Sequence, residues 1–536
     1  MSRRMKRRTF LKTTAAAAGL TVLGGSFRAA AYAANEKLRC ACIGAAGRGG
    51  VHVEVTAPTS ALWGKAGEAW TPQSRLPDFS WAGYRSGEKP LPTVPPGTSV
   101  RQFGARGDGT TDDSQAFLDA LAKVKGGAIE IPPGRYRITK ILEITRPGLV
   151  LRGAGPEKTV LFFPTPLNDI RPNMGATTGG RPTSNYSWSG GFIWMRGSYG
   201  SKTLATIVGE ARRGDMAVRV ASAVGLKVGQ RIEIAVSDTP DNSLAAHLYS
   251  DDAGPMDNLK GRTSASLVTR VTAVEGDRLR FDRPLRFDIR PAWKPHVRSF
   301  QPTVTGCGVE NLTFEFPNTD YRGHFTELGF NPVALTGVTD CWVRRIRLVN
   351  ADSGPMVSGC FNTLEGVVHE SARKTDGRGN VGHHGIYLSG DDNLYAGFDY
   401  RVRYVHDITV SHCAGNVIKG GRGADLCFDH HRRAPYENLF TDIDVGAGTR
   451  PWACGGGADL GKNCAARGTF WNIRAAQPLA YPPASFGPWS MNLVAVQTAK
   501  PAETKIDGKW FEVIPPSELV PRDLHAAQLA LRLKGR

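Results

Sequence analysis

Short hydrophobic strands, separated by turn residues, recur through the central part of the chain. One pattern, Val-Glu-Asn-Leu-Thr-Phe at 309–314, returns at 343–348, 405–410 and 440–445, with a weaker copy from Phe470. Each copy has apolar residues at its first, fourth and sixth positions and polar residues between them, and runs of this length bounded by turn residues predict short β-strands. A strand pattern that repeats with turns between its copies is typical of a solenoid, because each turn can bury its apolar face only against its neighbours.

A second class of short strand lies between copies of the first. Its members are PVALTG from 332, PMVSG from 355, GIYLSG from 385 and NVIKGG from 416. The later steps are longer than the first, so we expect loops to project from the later turns, and loops on a rigid scaffold commonly carry sites. We expect GIYLSG and NVIKGG to be equivalent strands on adjacent turns.

A helix and a strand pair precede these repeats. The stretch FGARGDGTTDDSQAF at 103–117 lacks the Gly-Lys-Ser/Thr ending of a phosphate loop and the Gly and Glu of an EF-hand. It instead predicts a helix start, with Asp112 as N-cap and Gln115 as its reciprocal partner. An apolar stripe at helical spacing follows, formed by Ala116, Phe117, Ala120, Leu121 and Val124, and Gly126-Gly127 ends the helix.

This ordered set resembles the N-terminal part of the pectate lyase superfamily, in its rhamnogalacturonase and epimerase-like group. The matching residues are Phe103, Gly104, Ala105, Gly107, Asp108, Gly109, Asp112, Asp113, Pro132, Pro133, Gly134 and Tyr136. The resemblance covers about residues 98–165. It implies an all-β fold, a right-handed parallel β-helix, with the predicted helix capping one end of the column.

Composition divides the chain into six segments. Strands such as MAVRVA, RIEIAV and LVTRVTAV predict a small β module inserted into the column. The expected segments are 1–33, a signal peptide; 34–97, an extension or linker; 98–204, the start of the β-helix with its capping helix; 205–290, the inserted module; 291–475, the main body with the active site; and 476–536, a C-terminal cap or tail.

The first 33 residues have the pattern of an export signal. Arg7 and Arg8 precede Thr-Phe-Leu-Lys, a weakly apolar run and a small-residue cleavage site, which resembles a twin-arginine signal. We therefore expect a periplasmic or secreted protein and no nucleic-acid partner. The segment holds seven Lys or Arg and no acid, so it contributes much of the net charge of +18, although the rest of the chain stays basic.

Two further features of the sequence carry little chemistry. Residues 38–50 contain Gly44-x-Ala46-x-x-Gly49, but the second Gly, the following helix and the later acid of a dinucleotide site are missing. The nine cysteines include no Cys-x-x-Cys pair, and we expect mostly buried free thiols, with one disulfide left open.

Polar residues are densest between His369 and Glu437, and eight of the twelve histidines fall between 324 and 431. The expected catalytic residues are His383, His384, Asp391, Asp392, Lys419, Arg422 and His430. The expected substrate-binding residues are Arg432, Tyr436, Asp320 and Trp452.

Two chemistries compete for these residues. A lyase acting on a uronic-acid polymer needs a cation for the carboxylate, a base for the adjacent ring proton and an acid for the leaving oxygen. The candidates for these roles are, in order, Lys419 or Arg422; His383, His384 or His430; and Tyr436 or a second histidine. A hydrolase needs two separated carboxylates, here Asp391 with Asp320 or Asp425.

The sequence thus favours an exported polysaccharide lyase that cleaves an acidic polysaccharide by β-elimination. The alternatives are a glycoside hydrolase of the polygalacturonase or rhamnogalacturonase type and a non-catalytic glycan-binding β-helix protein. No metal ligands are assigned, and the sequence establishes no cofactor, with calcium left open. Subunit number stays undetermined.

Overall fold

The computed structural model describes residues 37–40, 53–177, 179–498 and 506–535. The predicted export signal and most of the Gly-rich stretch at 38–50 lie outside these ranges. The strands are β1 (Lys37–Cys40), β2 (Val53–Thr56), β3 (Thr98–Ser99), β4 (Asp108–Asp112), β5 (Gly127–Ile131), β6 (Gly134–Arg137), β7 (Leu142–Ile144), β8 (Leu149–Gly153), β9 (Thr159–Phe162), β10 (Met174–Ala176), β11 (Pro182–Ser184), β12 (Ile193–Arg196), β13 (Thr203–Val208), β14 (Ala217–Val220), β15 (Arg231–Ser237), β16 (Ser264–Glu275), β17 (Arg278–Phe281), β18 (His296–Ser299), β19 (Gly308–Glu315), β20 (Val333–Thr336), β21 (Trp342–Val349), β22 (Met356–Val357), β23 (Thr363–Glu370), β24 (His384–Leu388), β25 (Leu394–Ala396), β26 (Asp399–Tyr400), β27 (His406–Val410), β28 (Val417–Lys419), β29 (Arg422–Gly423), β30 (Phe428–His430), β31 (Leu439–Asp444), β32 (Thr469–Arg474), β33 (Asn492–Val496) and β34 (Trp510–Glu512).

Helices are few. The α-helices are α1 (Ser114–Lys123), α2 (Leu167–Ile170), α3 (Ser243–Leu248) and α4 (Leu524–Lys534). Short 3-10 segments are Tyr84–Gly87, Val100–Phe103, Asn185–Ser187, Pro291–Trp293 and Ile506–Gly508. No helix in the described residues has the length and apolar character needed to cross a membrane.

The chain divides into two units, the first ending at Ala57. In the first unit, β1 and β2 pair antiparallel, with Lys37 opposite Thr56. The second unit, 58–536, contains the stacked strands and everything discussed below.

Three parallel sheets run along the column. Sheet 1 contains β7, β12, β20, β22, β24, β27 and β30 in spatial order. Sheet 2 contains β3, β5, β8, β19, β21, β23, β25, β28, β31, β32, β33 and β34. Sheet 3 contains β4, β6, β9, β26 and β29. The second halves of five long strands, β19, β21, β23, β31 and β32, also belong to sheet 3. The predicted fold class, a right-handed parallel β-helix, is confirmed.

The long strands bend where they pass from sheet 2 to sheet 3. Each bend falls on a residue with positive φ, namely Asn311 (62°), Arg345 (51°), Gly366 (64°), Asp442 (53°) and Asn472 (56°). The ladders skip these positions and resume beyond them. At each bend a single residue with positive φ turns the chain, and the hydrogen-bonded ladders continue on both sides of it. The apolar residues before and after the bend therefore point into one core.

The repeats were assigned correctly as strands but not always to the correct sheet. The copy at 405–410 forms β27 in sheet 1, where it pairs with β24. NVIKGG forms β28 in sheet 2, where it pairs with β25 and β31. The expectation that GIYLSG and NVIKGG are equivalent is therefore wrong: each segment predicts a short apolar strand, and that signal does not tell which sheet the strand joins.

The capping helix α1 covers one end of the core. Ala116, Phe117, Ala120 and Leu121 are buried, as the apolar stripe predicts. The predicted reciprocal cap is wrong. The N-cap position belongs to Asp113, whose side chain makes no capping bond; Asp112, one residue earlier, accepts the Ser114 backbone N–H (3.0 Å), and the Gln115 amide donates to Asp119.

The inserted module is a closed barrel of six strands, β13 to β18. It has its own apolar core, which includes Ile234, Leu267 and Val297. Two arginines from the segment after β17, Arg283 and Arg286, reach the β-helix and bind both carboxylate oxygens of Asp392. All three side chains are buried, so this ion cluster joins the barrel to the column.

The cysteines agree with the expected reduced state. Seven cysteines in the described residues are free thiols, and all are buried except the half-buried Cys454.

A ladder of buried asparagines stabilises one corner of the column. The Asn393 carboxamide oxygen accepts the backbone N–H of Asn362 (3.0 Å), and its amide nitrogen donates to Gly359 O (2.9 Å) and to the Asn416 side chain (3.1 Å). Asn416 and Asn438 continue the same pattern on the next turns. The ladder pairs the polar backbone groups of each turn that the sheets leave unpaired.

Replacing Asn393 with alanine is expected to lower the free energy of unfolding by about 2–4 kcal/mol, because buried backbone groups of neighbouring turns lose their partners. Chemical denaturation measures this change. Asn318, which is exposed, provides the control, and Asn318→Ala is expected to change stability by less than about 0.5 kcal/mol. Equal effects of the two substitutions would show that the ladder contributes nothing.

Candidate active site

The candidate site lies on the outer face of sheet 1. Tyr387, Thr409 and Asp429 are in register on β24, β27 and β30. Each of them follows a residue of the apolar core. Successive side chains of a strand point to opposite faces, so these three stack on the outside of the column.

Five imidazoles gather beside this row. Ring centroids are 4.4 Å apart for His324 and His383, 4.0 Å for His383 and His384, 5.1 Å for His384 and His406, and 5.3 Å for His406 and His431. His324 belongs to the loop between β19 and β20, while the other four come from sheet 1 or its immediate flanks. The column thus brings together residues from four separate stretches of sequence.

Asp429 is the buried anion of the cluster. Its carboxylate accepts bonds from Thr409 Oγ1 (3.0 Å), the Gly455 backbone N–H (2.7 Å) and His431 Nδ1 (2.9 Å), and lies 3.4 Å from His406 Nδ1. Burial opposes its ionisation, but the two imidazoles and these hydrogen bonds hold the pKa of Asp429 well below its usual range. A carboxylate is therefore fixed behind His431.

His431 is the imidazole that Asp429 makes more basic. Burial lowers its pKa, but the adjacent Asp429 more than offsets this and raises the pKa of His431 above its ordinary value. Its side chain is 27% exposed, so the ring reaches solvent. Because Nδ1 donates to Asp429, the lone pair of His431 is on Nε2.

The other imidazoles of the cluster are neutral. Burial lowers the pKa of both His324 and His406 to about 4 and holds the pKa of His383 and His384 well below the ordinary value. Neutral imidazoles are metal ligands. Among the described residues, two groups of side chains could hold a metal ion: His324 with His383 and His406, and His406 with Asp429 and His431. Within each group, the ligand atoms lie within 4.8 Å of one another.

Glu327 is a second buried carboxyl group at the site. It accepts bonds from Tyr321 Oη (2.6 Å) and Ser187 Oγ (3.1 Å), and lies 3.7 Å from His383 Nδ1. Burial raises the pKa of Glu327 to about 7.

A cavity of about 320 Å³ meets the cluster through Tyr387, and its lining includes none of the five imidazoles. Tyr387 lines it together with Arg262 of the inserted module and Arg433 of the column. The Tyr387 and His431 ring centroids are 6.5 Å apart, and both arginines are exposed. Burial raises the pKa of Tyr387, which keeps its phenol protonated. The cavity therefore offers guanidinium groups beside a proton donor.

The structure places two of the expected catalytic residues, His383 and His384, in the cluster. Asp391 is half-buried and lines a separate cavity of about 220 Å³, where burial raises its pKa to about 7. Asp392 is buried in the ion cluster with Arg283 and Arg286.

Three further expected catalytic residues lie elsewhere. Lys419 is on sheet 2, and its ammonium binds Asp523 (2.8 Å) rather than reaching the cluster. Arg422 is exposed on sheet 3 and pairs with Asp399. His430 is fully buried among core aromatic rings, because it follows Asp429 and points to the opposite side of β30.

The expected substrate-binding residues are also dispersed. Arg432 donates to Gly461 O (2.6 Å), and Tyr436 is buried and lines the same cavity as Asp391. Asp320 is exposed, 3.9 Å from Lys374. Trp452 packs in the apolar core.

Sequence reasoning did not select the residues that complete the cluster, namely His324, His406, Tyr387, Asp429 and His431. One signal could have revealed one of them, His406. His384 precedes GIYLSG and His406 is the second residue of the copy at 405–410, so aligning the two segments as neighbouring strands places His384 beside His406.

Residues 97–168 match the family described as Rhamnogalacturonase A/epimerase, pectate lyase-like. This segment is pectate lyase-like. The resemblance inferred from the sequence over residues 98–165 is thereby confirmed, and the segment supplies the capping helix and the first coils of the column.

Curated relatives share short segments with this chain. Alginate lyase 7 of Azotobacter vinelandii is 32% identical over 100 residues, which is 17% of this chain and 12% of the relative. Mannuronan C5-epimerase AlgE4 of the same organism is 33% identical over 97 residues, 16% of this chain and 18% of the relative. The chain thus spans less than a fifth of the length of these relatives.

Solved structures with a similar course of the chain include the tailspike protein gp49 from Pseudomonas phage LKA1. The TM-score is 0.44 at 14% identity, over 74% of this chain and 67% of the tailspike chain. The A-module of the Azotobacter vinelandii epimerase AlgE4 gives a TM-score of 0.27 at 12% identity, over 75% and 79% of the two chains.

Proposed function

We propose that this pectate lyase-like protein is carbohydrate-active and cleaves an acidic, uronic-acid polysaccharide by β-elimination, with His431 as the base. One observation carries the proposal: the His431 imidazole, 27% exposed and held by the buried Asp429, has its ring centroid 6.5 Å from that of Tyr387, which lines a cavity together with two arginines. The export predicted from residues 1–33 would place the enzyme where such polymers occur.

His431 has the geometry of a general base. Asp429 accepts the Nδ1 proton, so Nε2 is free to take the ring proton on the carbon next to the substrate carboxylate. The electrons of that C–H bond form a carbon–carbon double bond, and the bond to the leaving glycosidic oxygen breaks. The products are one chain with an unsaturated sugar end and one chain with an ordinary reducing end.

Tyr387 and the cavity arginines supply the remaining roles. The Tyr387 phenol, held protonated by burial, gives its proton to the leaving oxygen. Arg262 and Arg433 bind the substrate carboxylate, because guanidinium groups pair with carboxylates in two-pronged hydrogen bonds. Their charge also makes the adjacent ring proton more acidic.

The positions of the carboxylates favour elimination over hydrolysis. Asp392 is neutralised by two buried arginines, and Asp425 is buried and accepts bonds from Thr449. Asp391 lines another cavity. A hydrolase needs two carboxyl groups facing one bond, and the two carboxyl groups of the site itself, Asp429 and Glu327, have no exposed side-chain surface. The segments shared with an alginate lyase and a mannuronan epimerase also support an acidic polysaccharide as the substrate class.

The test is a panel of uronic-acid and neutral polysaccharides, assayed for ultraviolet absorbance of unsaturated ends and for reducing ends. We expect both signals to rise together on a uronic-acid polymer and neither on a neutral one. Reducing ends without absorbance would contradict elimination in favour of hydrolysis. Inversion at the ring carbon without chain scission, or binding without any product, would contradict it as well.

A further inference from the structure

Three imidazoles of the cluster converge in the manner of metal ligands. The candidate ligand atoms of His324, His383 and His406 lie within 4.8 Å of one another, and the first two approach through their Nε2 atoms at 2.8 Å. Nitrogens around one tetrahedral zinc ion stand about 3.3 Å apart, because each Zn–N bond is about 2.0 Å long. The three rings therefore need only small movements to share one ion.

Buried carboxyl groups stand behind two of these rings. Asp429 Oδ2 lies 3.4 Å from His406 Nδ1, and Glu327 Oε2 lies 3.7 Å from His383 Nδ1. Metal-binding histidines almost always turn their second ring nitrogen towards a carboxylate or carbonyl, which fixes the tautomer that leaves Nε2 for the metal. Neither pair is within hydrogen-bond contact here, and His383 Nδ1 has no hydrogen-bond partner among the described residues, so the two carboxyl groups stand on the correct side of the rings for this role but do not yet bind them.

One ring nitrogen on the side away from these carboxyl groups lacks a hydrogen bond. His406 is buried, and its Nε2 has no hydrogen-bond partner within the part of the chain that the structure describes. Buried polar atoms are rarely left unpaired. In the second candidate group, by contrast, Asp429 already accepts hydrogen bonds from Thr409, His431 and Gly455, so that carboxylate needs no metal.

We propose that His324, His383 and His406 bind one transition-metal ion of the Zn²⁺ class. Imidazole ligands suit zinc, copper, iron and nickel, whereas calcium and magnesium require oxygen ligands. The sequence left calcium open and assigned no metal ligands; this site is nitrogen-based. Three histidines leave one coordination position for water or a sugar oxygen, reached past the half-exposed His324. The proposal does not depend on the elimination reaction.

The test uses full-length protein without an affinity tag, freed of metal by a chelator. Titration with Zn²⁺ is expected to show one tight site by calorimetry and one zinc per chain by mass spectrometry after dialysis. Ca²⁺ is expected to give no such site. Co²⁺ is expected to give the visible absorption of a nitrogen-bound, four-coordinate ion.

His324→Ala is expected to weaken Zn²⁺ binding by at least about 10²-fold, as a lost direct ligand should exceed the loss found for supporting residues. His324 lies in a half-buried loop, and a circular-dichroism melt checks that this variant folds. The control is His296→Ala, which alters a histidine of the inserted barrel far from the group. Absence of stoichiometric Zn²⁺ in the wild type, or equal affinity in the His324→Ala variant, would overturn the proposal. Because these measurements need no substrate, they remain valid whether or not the protein proves to be a lyase.

Discussion

Replacing His431 with alanine lowers kcat on the acidic polysaccharide by about 10³-fold and leaves KM nearly unchanged, because a positioned base acts in the transition state rather than in substrate binding. The ring is 27% exposed, its Nδ1 is bound by Asp429, and its ring neighbours are His384, Tyr387 and His406, none of which belongs to the apolar core. Its loss therefore removes the base without removing a core contact. Initial rates of ultraviolet absorbance, measured over a range of polymer concentrations, give the two constants separately.

Asp429 is expected to act through His431 as a positioning residue. Asp429→Asn keeps the shape but cannot hold the Nδ1 proton in the same way, so we expect kcat to fall by about 10²-fold. A parallel rise in KM of the same size for either variant would instead place both side chains in substrate binding. Rates within about threefold of the wild type would exclude the dyad from the chemistry.

Replacing Asp392 with alanine lowers the free energy of unfolding by about 3–5 kcal/mol, because two buried guanidinium groups lose the anion that they share. Arg283 binds both oxygens of Asp392 at 2.9 and 3.0 Å, and Arg286 Nη1 binds at 3.1 Å. The side chains are 2–4% exposed, so water cannot replace the carboxylate. Denaturant unfolding followed by tryptophan fluorescence measures the change.

Asp320 provides the matched control for this substitution. It is exposed and 3.9 Å from an exposed lysine, so Asp320→Ala should cost less than about 0.5 kcal/mol. If both substitutions cost the same, the buried ion cluster does not hold the barrel against the column.

The solenoid and its cap were predictable because their signals are local and repetitive. The stripe through Phe117 and Leu121 forms the buried face of α1, and the repeats beginning at 309, 343 and 440 all form strands of sheet 2. Each such signal arises because one face of the element is buried, and the buried face appears in the sequence as regularly spaced apolar residues. The inserted barrel was similarly visible as a run of alternating strands.

The composition of the site was less predictable, because it depends on which sheet and which face each strand occupies. A shift of one position along the strand moves a side chain to the opposite face. His430 packs against core aromatic rings, whereas the next residue, His431, reaches solvent. Lys419 was expected beside His384 because their strands have similar patterns, yet β28 and β24 lie in different sheets. His324 comes from a loop, whose course no strand pattern specifies.

The most direct measurement compares the rate of unsaturated-end formation by the His431→Ala and Arg422→Gln variants on the same uronic-acid polymer. Arg422 is exposed on sheet 3 and bound to Asp399, away from the histidine cluster, so its replacement should preserve the fold. The account predicts loss of about 10³-fold for His431→Ala and a rate within about twofold of the wild type for Arg422→Gln. An inactive Arg422→Gln variant beside an active His431→Ala variant would contradict it, because the chemistry would then lie on another face of the column.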